Sequence, residues 1–160
     1  MTVKKKPRKS LAALVGAGCT GLLCVYVPHF EGMVLRGYAD PIGVVTACAG
    51  HTRTAVLGRP YTPDECEGLL LEDLAEHAQG VLRCAPVLEG RTWQLAAAVS
   101  FTYNVGVGAF CSSTMARKFN TQDFAGACAE LDRWVRAGGQ VLPGLVKRRQ
   151  VERDLCEVGL

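Results

Sequence analysis

The sequence predicts an α+β domain with a small β-hairpin lobe and a larger helical lobe, preceded by an N-terminal apolar helix. Three observations carry this reading. Residues 11–27 form an uncharged apolar run behind a basic head. Residues 35–54 are rich in β-branched and small residues and are punctuated by the turn signal Pro41-Ile42-Gly43. Beyond Thr62 the chain shows repeated helix start and stop signals. At 160 residues it fits one domain with a workable core and a short appendage.

The basic head comes first. Lys4, Lys5, Lys6, Arg8 and Lys9 supply five of the 18 basic residues. The remaining 13 face 15 acidic ones, leaving the body at −2. The overall +3 is therefore no sign of a nucleic-acid-binding surface, and no nucleic-acid partner is expected. The 17 residues that follow, L-A-A-L-V-G-A-G-C-T-G-L-L-C-V-Y-V, are at the short end of what spans a bilayer as a helix. Basic residues before such a segment predict a cytoplasmic N-terminus and an exported body. Gly16, Gly18, Gly21 and Thr20 make its hold on lipid marginal. A cleaved signal peptide has the same layout, but Val25-Tyr26-Val27-Pro28 offers no small-x-small cleavage site. Ala17-Gly18-Cys19 only partly fits a lipoprotein signal, and five clustered charges next door disfavour a buried core helix.

After Pro28 a short helix is expected to carry Glu31, followed by the hairpin sheet over residues 35–54. Thr62-Pro63-Asp64-Glu65 then opens a helix with a cap, a first-turn proline and a capping box; it is expected to run to about Gln79. Residues 91–103 read as an apolar core helix whose alanines allow close packing, ended by Gly106 and Gly108. Residues 112–119 and 121–137 read as two more helices, the second closed by Gly138-Gly139, and Pro143 opens the last.

Chemistry concentrates in E-G-M-V-L-R-G-Y-A-D-P-I-G-V-V-T. Glycosidic hydrolysis uses two carboxyl groups flanking the scissile bond, one giving a proton and the other steering a water or attacking the sugar. Glu31 and Asp40 stand nine positions apart, with the turn signal directly after Asp40. A general acid works at neutral pH when apolar neighbours keep it protonated, and Phe30, Met33 and Val34 flank Glu31. Asp40, between Tyr38 and a Pro-Gly turn, is in a more solvated setting. Spacing alone does not separate such a pair from two solvated surface acids.

The pattern E-x8-D-x5-T, followed by Gly50-His51-Thr52, resembles the phage lysozymes of glycoside hydrolase family 24. A-A-V-S-F-T-Y-N-V-G-V-G from Ala97 and L-P-G-L-V-K-R-R from Leu142, with Glu152-Arg153 after it, resemble that family's core and C-terminal helices. The likeness covers about residues 29–160, in order. It implies a lysozyme-like two-lobed fold and hydrolysis of the β-1,4 bond between N-acetylmuramic acid and N-acetylglucosamine. By that match Glu31 is the general acid, Asp40 the carboxylate facing the attacking water, and Thr46 a hydroxyl that positions it. Residues 1–28 then divide from 29–160 as basic head and signal-anchor-release segment, known from a subgroup of these enzymes. Such a segment holds the enzyme at the host inner membrane until de-energisation releases it to the periplasm. The competing functions are a lytic transglycosylase, which Asp40 and Thr46 in register argue against, and a catalytically dead peptidoglycan-binding protein.

Eight cysteines suit an oxidising compartment. Cys19 and Cys24 are in the apolar run, and Cys48, Cys66, Cys84, Cys111, Cys128 and Cys156 belong to the body. The six allow many pairings and the sequence does not choose among them. The set we expect is Cys48 with Cys66, Cys84 with Cys111, and Cys128 with Cys156. Some enzymes of the subgroup block the site by a disulfide that an anchor thiol rearranges, but no cysteine flanks Glu31 or Asp40 here. No zinc-like spacing occurs, so neither metal nor cofactor is expected. His51 is expected to pair structurally with Asp73, as its family counterpart does. Asn104 and Trp134 are candidates for lining the sugar cleft, with packing an equal role for Trp134. Peptidoglycan is the expected partner, with the inner membrane through residues 11–27, and a monomer is expected.

Overall fold

The computed structural model describes residues 8–160; Lys4, Lys5 and Lys6 of the basic head lie outside them. The first helix, α1 (Leu11–Glu31), is capped by Ser10, whose hydroxyl accepts from the Ala13 N–H. Gly16 departs from helical geometry at φ 81° and kinks it, and the Thr20 hydroxyl donates to the Gly16 carbonyl. The sequence reading placed a new, short helix after Pro28. Instead α1 runs through Pro28 and stops only at Gly32, whose φ of 76° few other residues adopt easily. A proline removes one helix hydrogen bond, and here the flanking turns carry the chain past that loss.

The β-lobe follows. Strands β1 (Val34–Ala39) and β2 (Val45–Cys48) pair antiparallel, with Val34 opposite Cys48 at the root and Tyr38 opposite Thr46 near the tip. The other edge of β1 is met by residues 56–61: Gly37 donates to the Arg59 carbonyl and Tyr61 to that of Leu35. Gly37 is required by this approach, because a Cβ there would come within 1.9 Å of the Val56 carbonyl oxygen. The lobe has its own small core of Ala47, Cys48, Tyr61 and Cys66. A disulfide joins Cys48 to Cys66.

Helix α2 (Pro63–Cys84) begins with the expected capping box, in which Thr62 and Glu65 exchange hydrogen bonds. It runs five residues past the expected end, to Cys84, because Gly80 is packed tightly under Val107 and does not break it. Helix α3 (Thr92–Val105) is the centre of the larger lobe, buried almost continuously from Gln94 to Thr102. Its alanines allow α1, α2 and the last helix to close around it. Gly106 ends α3 as expected, but Gly108 belongs to the next helix, α4 (Val107–Cys111).

Residues 121–137 are not one helix. Gln122 takes a positive φ, Asp123 caps a fresh start, and α6 (Phe124–Ala129) follows α5 (Thr114–Asn120). A tight 3-10 turn over Glu130–Arg133 then leads into a second hairpin, β3 (Arg136–Ala137) and β4 (Gln140–Val141), turned by Gly138 and Gly139. Helix α7 (Pro143–Cys156) closes the chain and is fastened to α6 by Cys128–Cys156, while Cys84–Cys111 ties α2 to α4. The three disulfides are the set expected from sequence. One face of α1 belongs to the main core through Leu11, Cys19, Leu23 and Val27, while the rest of the helix is more open.

Candidate functional site

Glu31 ends α1 at the root of the β-hairpin. Val34 is three positions beyond it, and Gly50 stands two beyond Val34's partner Cys48, so the hairpin register brings the two sides together. A methyl group added at Gly50 would lie 3.6 Å from the Glu31 Oε2. On the helical side the Arg148 guanidinium donates to Glu31 Oε1 at 2.6 Å. The carboxyl group is thus held between the first helix, the last helix and the β2 loop.

Arg148 is itself fixed. Its Nε donates to Glu152 Oε1 at 3.0 Å, its other terminal nitrogen donates to the Ser100 carbonyl, and its plane lies 4.7 Å from the Phe30 ring. The Ser100 hydroxyl donates to the same Glu152 oxygen at 2.8 Å. Arg149 completes the network, reaching Glu152 Oε2, the Trp134 carbonyl and Asn104 Oδ1. Burial pulls the Arg149 pKa below its ordinary value, opposed chiefly by Glu152. Glu152 is shared between the two guanidiniums and Glu31 meets Arg148, and a buried network of this kind is tolerable only when every member has its partners. The apolar wall expected from Phe30, Met33 and Val34 is reduced to Phe30, because the turn at Gly32 carries Met33 and Val34 to the surface.

Asp40 stands at the other end of the hairpin. Its Oδ1 accepts from the Ile42 and Val44 N–H groups at 3.0 and 2.8 Å, an Asx turn that builds the tip. Oδ2 has no hydrogen-bond partner among the described residues. Thr46, 7% exposed, donates to the Val44 carbonyl at 3.2 Å, which leaves its oxygen free to accept. Asp40 and Thr46 therefore share one hairpin, with Glu31 at its root.

A hollow of about 300 Å³ adjoins Gly50, lined by Thr52, Arg53, Asp73, Glu76, His77 and Tyr103. Tyr103 donates to the Ala49 carbonyl at 2.7 Å, which pins the β2 loop over α3. Burial raises the Tyr103 pKa, so it stays a neutral donor. His77 packs beside the Tyr103 ring, and its Nδ1 is buried with no hydrogen-bond partner among the described residues.

The remaining expected residues fall as follows. His51, 2% exposed, faces Asp73 with Nδ1 2.7 Å from Oδ2. Nε2 accepts from the Thr54 N–H, so the Nδ1 proton is the one shared with Asp73. Trp134 packs edge-on against Phe101, and the Asn104 amide oxygen is engaged by Arg149. Both therefore belong to the Arg149 end of the network. Among the described residues no His, Cys, Asp and Glu group could hold a metal. Sequence reasoning assigned no role to Arg148, Arg149, Glu152, Tyr103 or His77. For the first three a signal existed: R-R-x-x-E places opposite charges three and four apart on one helix.

Residues 28–152 match the phage lysozyme family. The chain is 40% identical over 156 residues to the SAR-endolysin of Enterobacteria phage PA-2, covering 93% of this chain and 94% of that one. Among solved structures it superposes on the muramidase domain of SpmX from Asticaccaulis excentricus with TM-score 0.76 and 28% identity, covering 89% of this chain and 97% of that one. The active form of the P1 phage endolysin Lyz shares the fold, with TM-score 0.77 at 17% identity, covering 95% and 96%.

Proposed function

Given that the chain belongs to the phage lysozyme family and is a muramidase-type glycosidase, we propose that Glu31 is its general acid. The bond cut is the β-1,4 link between N-acetylmuramic acid and N-acetylglucosamine in peptidoglycan. The observation that carries the assignment is the placement of Glu31: a part-exposed carboxyl group clamped by Arg148 at the root of the hairpin that presents Asp40 and Thr46. In this reading Glu31 protonates the leaving oxygen. Asp40 Oδ2, left free by the Asx turn, orients the attacking water, and Thr46 accepts a hydrogen bond from it. His51 with Asp73 props the β2 loop from below. Asn104 and Trp134, beside Arg149, border the substrate.

Comparing clearing of cell-wall suspensions by the native chain and by Glu31→Gln tests this directly; equal clearing by both would sink it. Reducing ends among the products support hydrolysis, whereas 1,6-anhydro ends would mean transglycosylation.

The reading extends to control. Among the described residues α1 is the one helix long and apolar enough to cross a membrane, and relatives carry the name SAR-endolysin. We infer that residues 11–27 first hold the chain in the host inner membrane, N-terminus cytoplasmic, and later withdraw to let the enzyme act in the periplasm. The described fold corresponds to the withdrawn state, with Leu23 and Val27 in the core. Because α1 also carries Glu31 to Arg148, withdrawal and assembly of the site are one event. The Cys48–Cys66, Cys84–Cys111 and Cys128–Cys156 pairs leave Cys19 and Cys24 as free thiols, and control by topology needs neither. Fractionation before and after collapse of the membrane potential tests this. Full-length chain should move from membrane to soluble periplasm, and a shortened product from the outset would instead mean signal cleavage.

A further inference from the structure

The β-lobe exposes more apolar surface than its small core accounts for. Ile42 at the hairpin tip is 85% exposed and Leu57 63%, and Leu35, Tyr38, Val44 and Val56 are exposed with them. They are not scattered. The 56–61 segment runs along β1 at Gly37, so Leu57 and Leu35 flank one crossing point, and Val44 closes the turn that carries Ile42. Exposed apolar residues gathered on one small lobe in this way mark contact surfaces, whereas single exposed apolar residues need no explanation.

Charge and position indicate what covers the patch. Residues 32–61 hold Arg36, Arg53 and Arg59 against Asp40, a net +2, while residues 62–160 hold 10 basic and 13 acidic residues, a net −3. Arg53 and Arg59 meet acids of α2, and Arg36 has no acidic partner among the described residues. The cationic, apolar end of the molecule is also the end that follows α1 directly. Met33 is six positions beyond Val27, so at roughly 3.5 Å per residue the lobe starts within about 20 Å of the end of the apolar run. The lobe's core and its disulfide use no residue of α1, so the lobe keeps its shape when α1 is elsewhere.

We propose that the rim formed by Leu35, Ile42, Val44 and Leu57 is a second membrane-contact surface, resting on an anionic phospholipid layer while α1 is inserted. This rests on the anchor reading of α1. Apolar side chains with a cation beside them suit the boundary between headgroups and acyl chains. The Ile42 N–H donates to Asp40 Oδ1, so an Ile42 seated in lipid holds Asp40 at the membrane surface, away from the wall. The membrane then withholds both carboxyl groups, Glu31 through its tether and Asp40 through the hairpin.

The test is photocrosslinking of the full-length chain in energised inner membranes, with p-benzoylphenylalanine placed singly at 25, 42, 57 or 147. Lipid adducts at 25, 42 and 57 but not at the exposed Lys147 position are expected. Adducts at 25 without any at 42 and 57 would overturn the second surface and leave the anchor intact. No lipid adduct at 25 would remove the anchor and this inference together. Crosslinks from 42 and 57 to a second copy or to glycan would also overturn it. In the combined variant Ile42→Asp with Leu57→Asp, a probe at 44 should lose its lipid adduct while thiol alkylation still shows Cys48–Cys66 formed. Retention of the adduct in that folded variant counts against the proposal.

Discussion

Arg148 donates to Glu31 across 117 positions of sequence, joining the last helix to the end of the first. The same guanidinium holds Glu152, so removing it leaves Glu152 to Arg149 and the Ser100 hydroxyl and releases Glu31 from the last helix. Arg148→Ala should lose about 1–3 kcal/mol of stability, because Glu152 loses one of its two cations and the buried Ser100 carbonyl loses a donor. Urea unfolding measures it. Arg148→Lys keeps the charge but not the fork, and should recover part of the stability and little of the cell-wall clearing. A variant as stable as the native chain would show that the network is not closed in solution.

His51→Asn should cost more stability than activity. His51 is buried and spends both ring nitrogens on Asp73 and Thr54, while nothing places it against the proposed substrate. Truncating a hydrogen-bonded group to charge costs about 1–3 kcal/mol. Thermal unfolding beside a clearing assay separates the two effects; a variant that keeps its Tm and loses clearing would move His51 into the chemistry.

His77 gives a pH dependence. Its folded pKa is below the ordinary histidine value, chiefly through burial, with Asp73, Glu76 and Glu31 acting the other way. The unfolded chain, titrating near about 6.5, therefore takes the proton first. The stability associated with neutral His77 is full above that value and is lost as pH falls through it. His77→Phe preserves contact with Tyr103 and removes both the titration and the unpartnered Nδ1. Its Tm advantage over the native chain should widen between pH 7 and pH 5. An unchanged difference would show that His77 is not titrating in this window.

Opening Cys84–Cys111 by a double Cys→Ala substitution should cost about 2–4 kcal/mol, since the pair closes a loop of 27 residues between α2 and α4. Calorimetry checks this. A loss well below 1 kcal/mol would mean that the α2–α4 packing already restrains the loop.

Local chemistry was legible in the residues themselves, while the longer-range pairs that were read, His51 with Asp73 and the three disulfides, were not legible from local signals. The Thr62–Glu65 box and the Gly106 stop depend on neighbours a few residues away, and both stand where they were read. Pro28 was misread because a stop signal says nothing of whether packing carries the helix through it. The break expected before residue 121 falls at Gln122 and Asp123, whereas the turn and hairpin that replace the rest of the helix expected over 121–137 carry no local stop signal before Gly138. Glu31, Asp40 and Thr46 stood out as a motif. The Arg148 clamp did not, because only the closure of α7 on α1 creates it.

The long helix α1 imposes a divided rule on its own residues. Where it touches the body, at Leu11, Cys19, Leu23 and Val27, each side chain fits a closed interior, and any change of size is felt by the fold. Where it does not, as at Gly21 with open space around it and at Val25, the fold tolerates substitution. A bilayer makes no such distinction, since it surrounds a helix on all sides. If α1 is the anchor proposed above, the outer stripe is where mutation retunes how long the chain stays in lipid without altering the folded enzyme. On that proposal the timing of release is set by the outer stripe, while the inner stripe stays fixed by the fold.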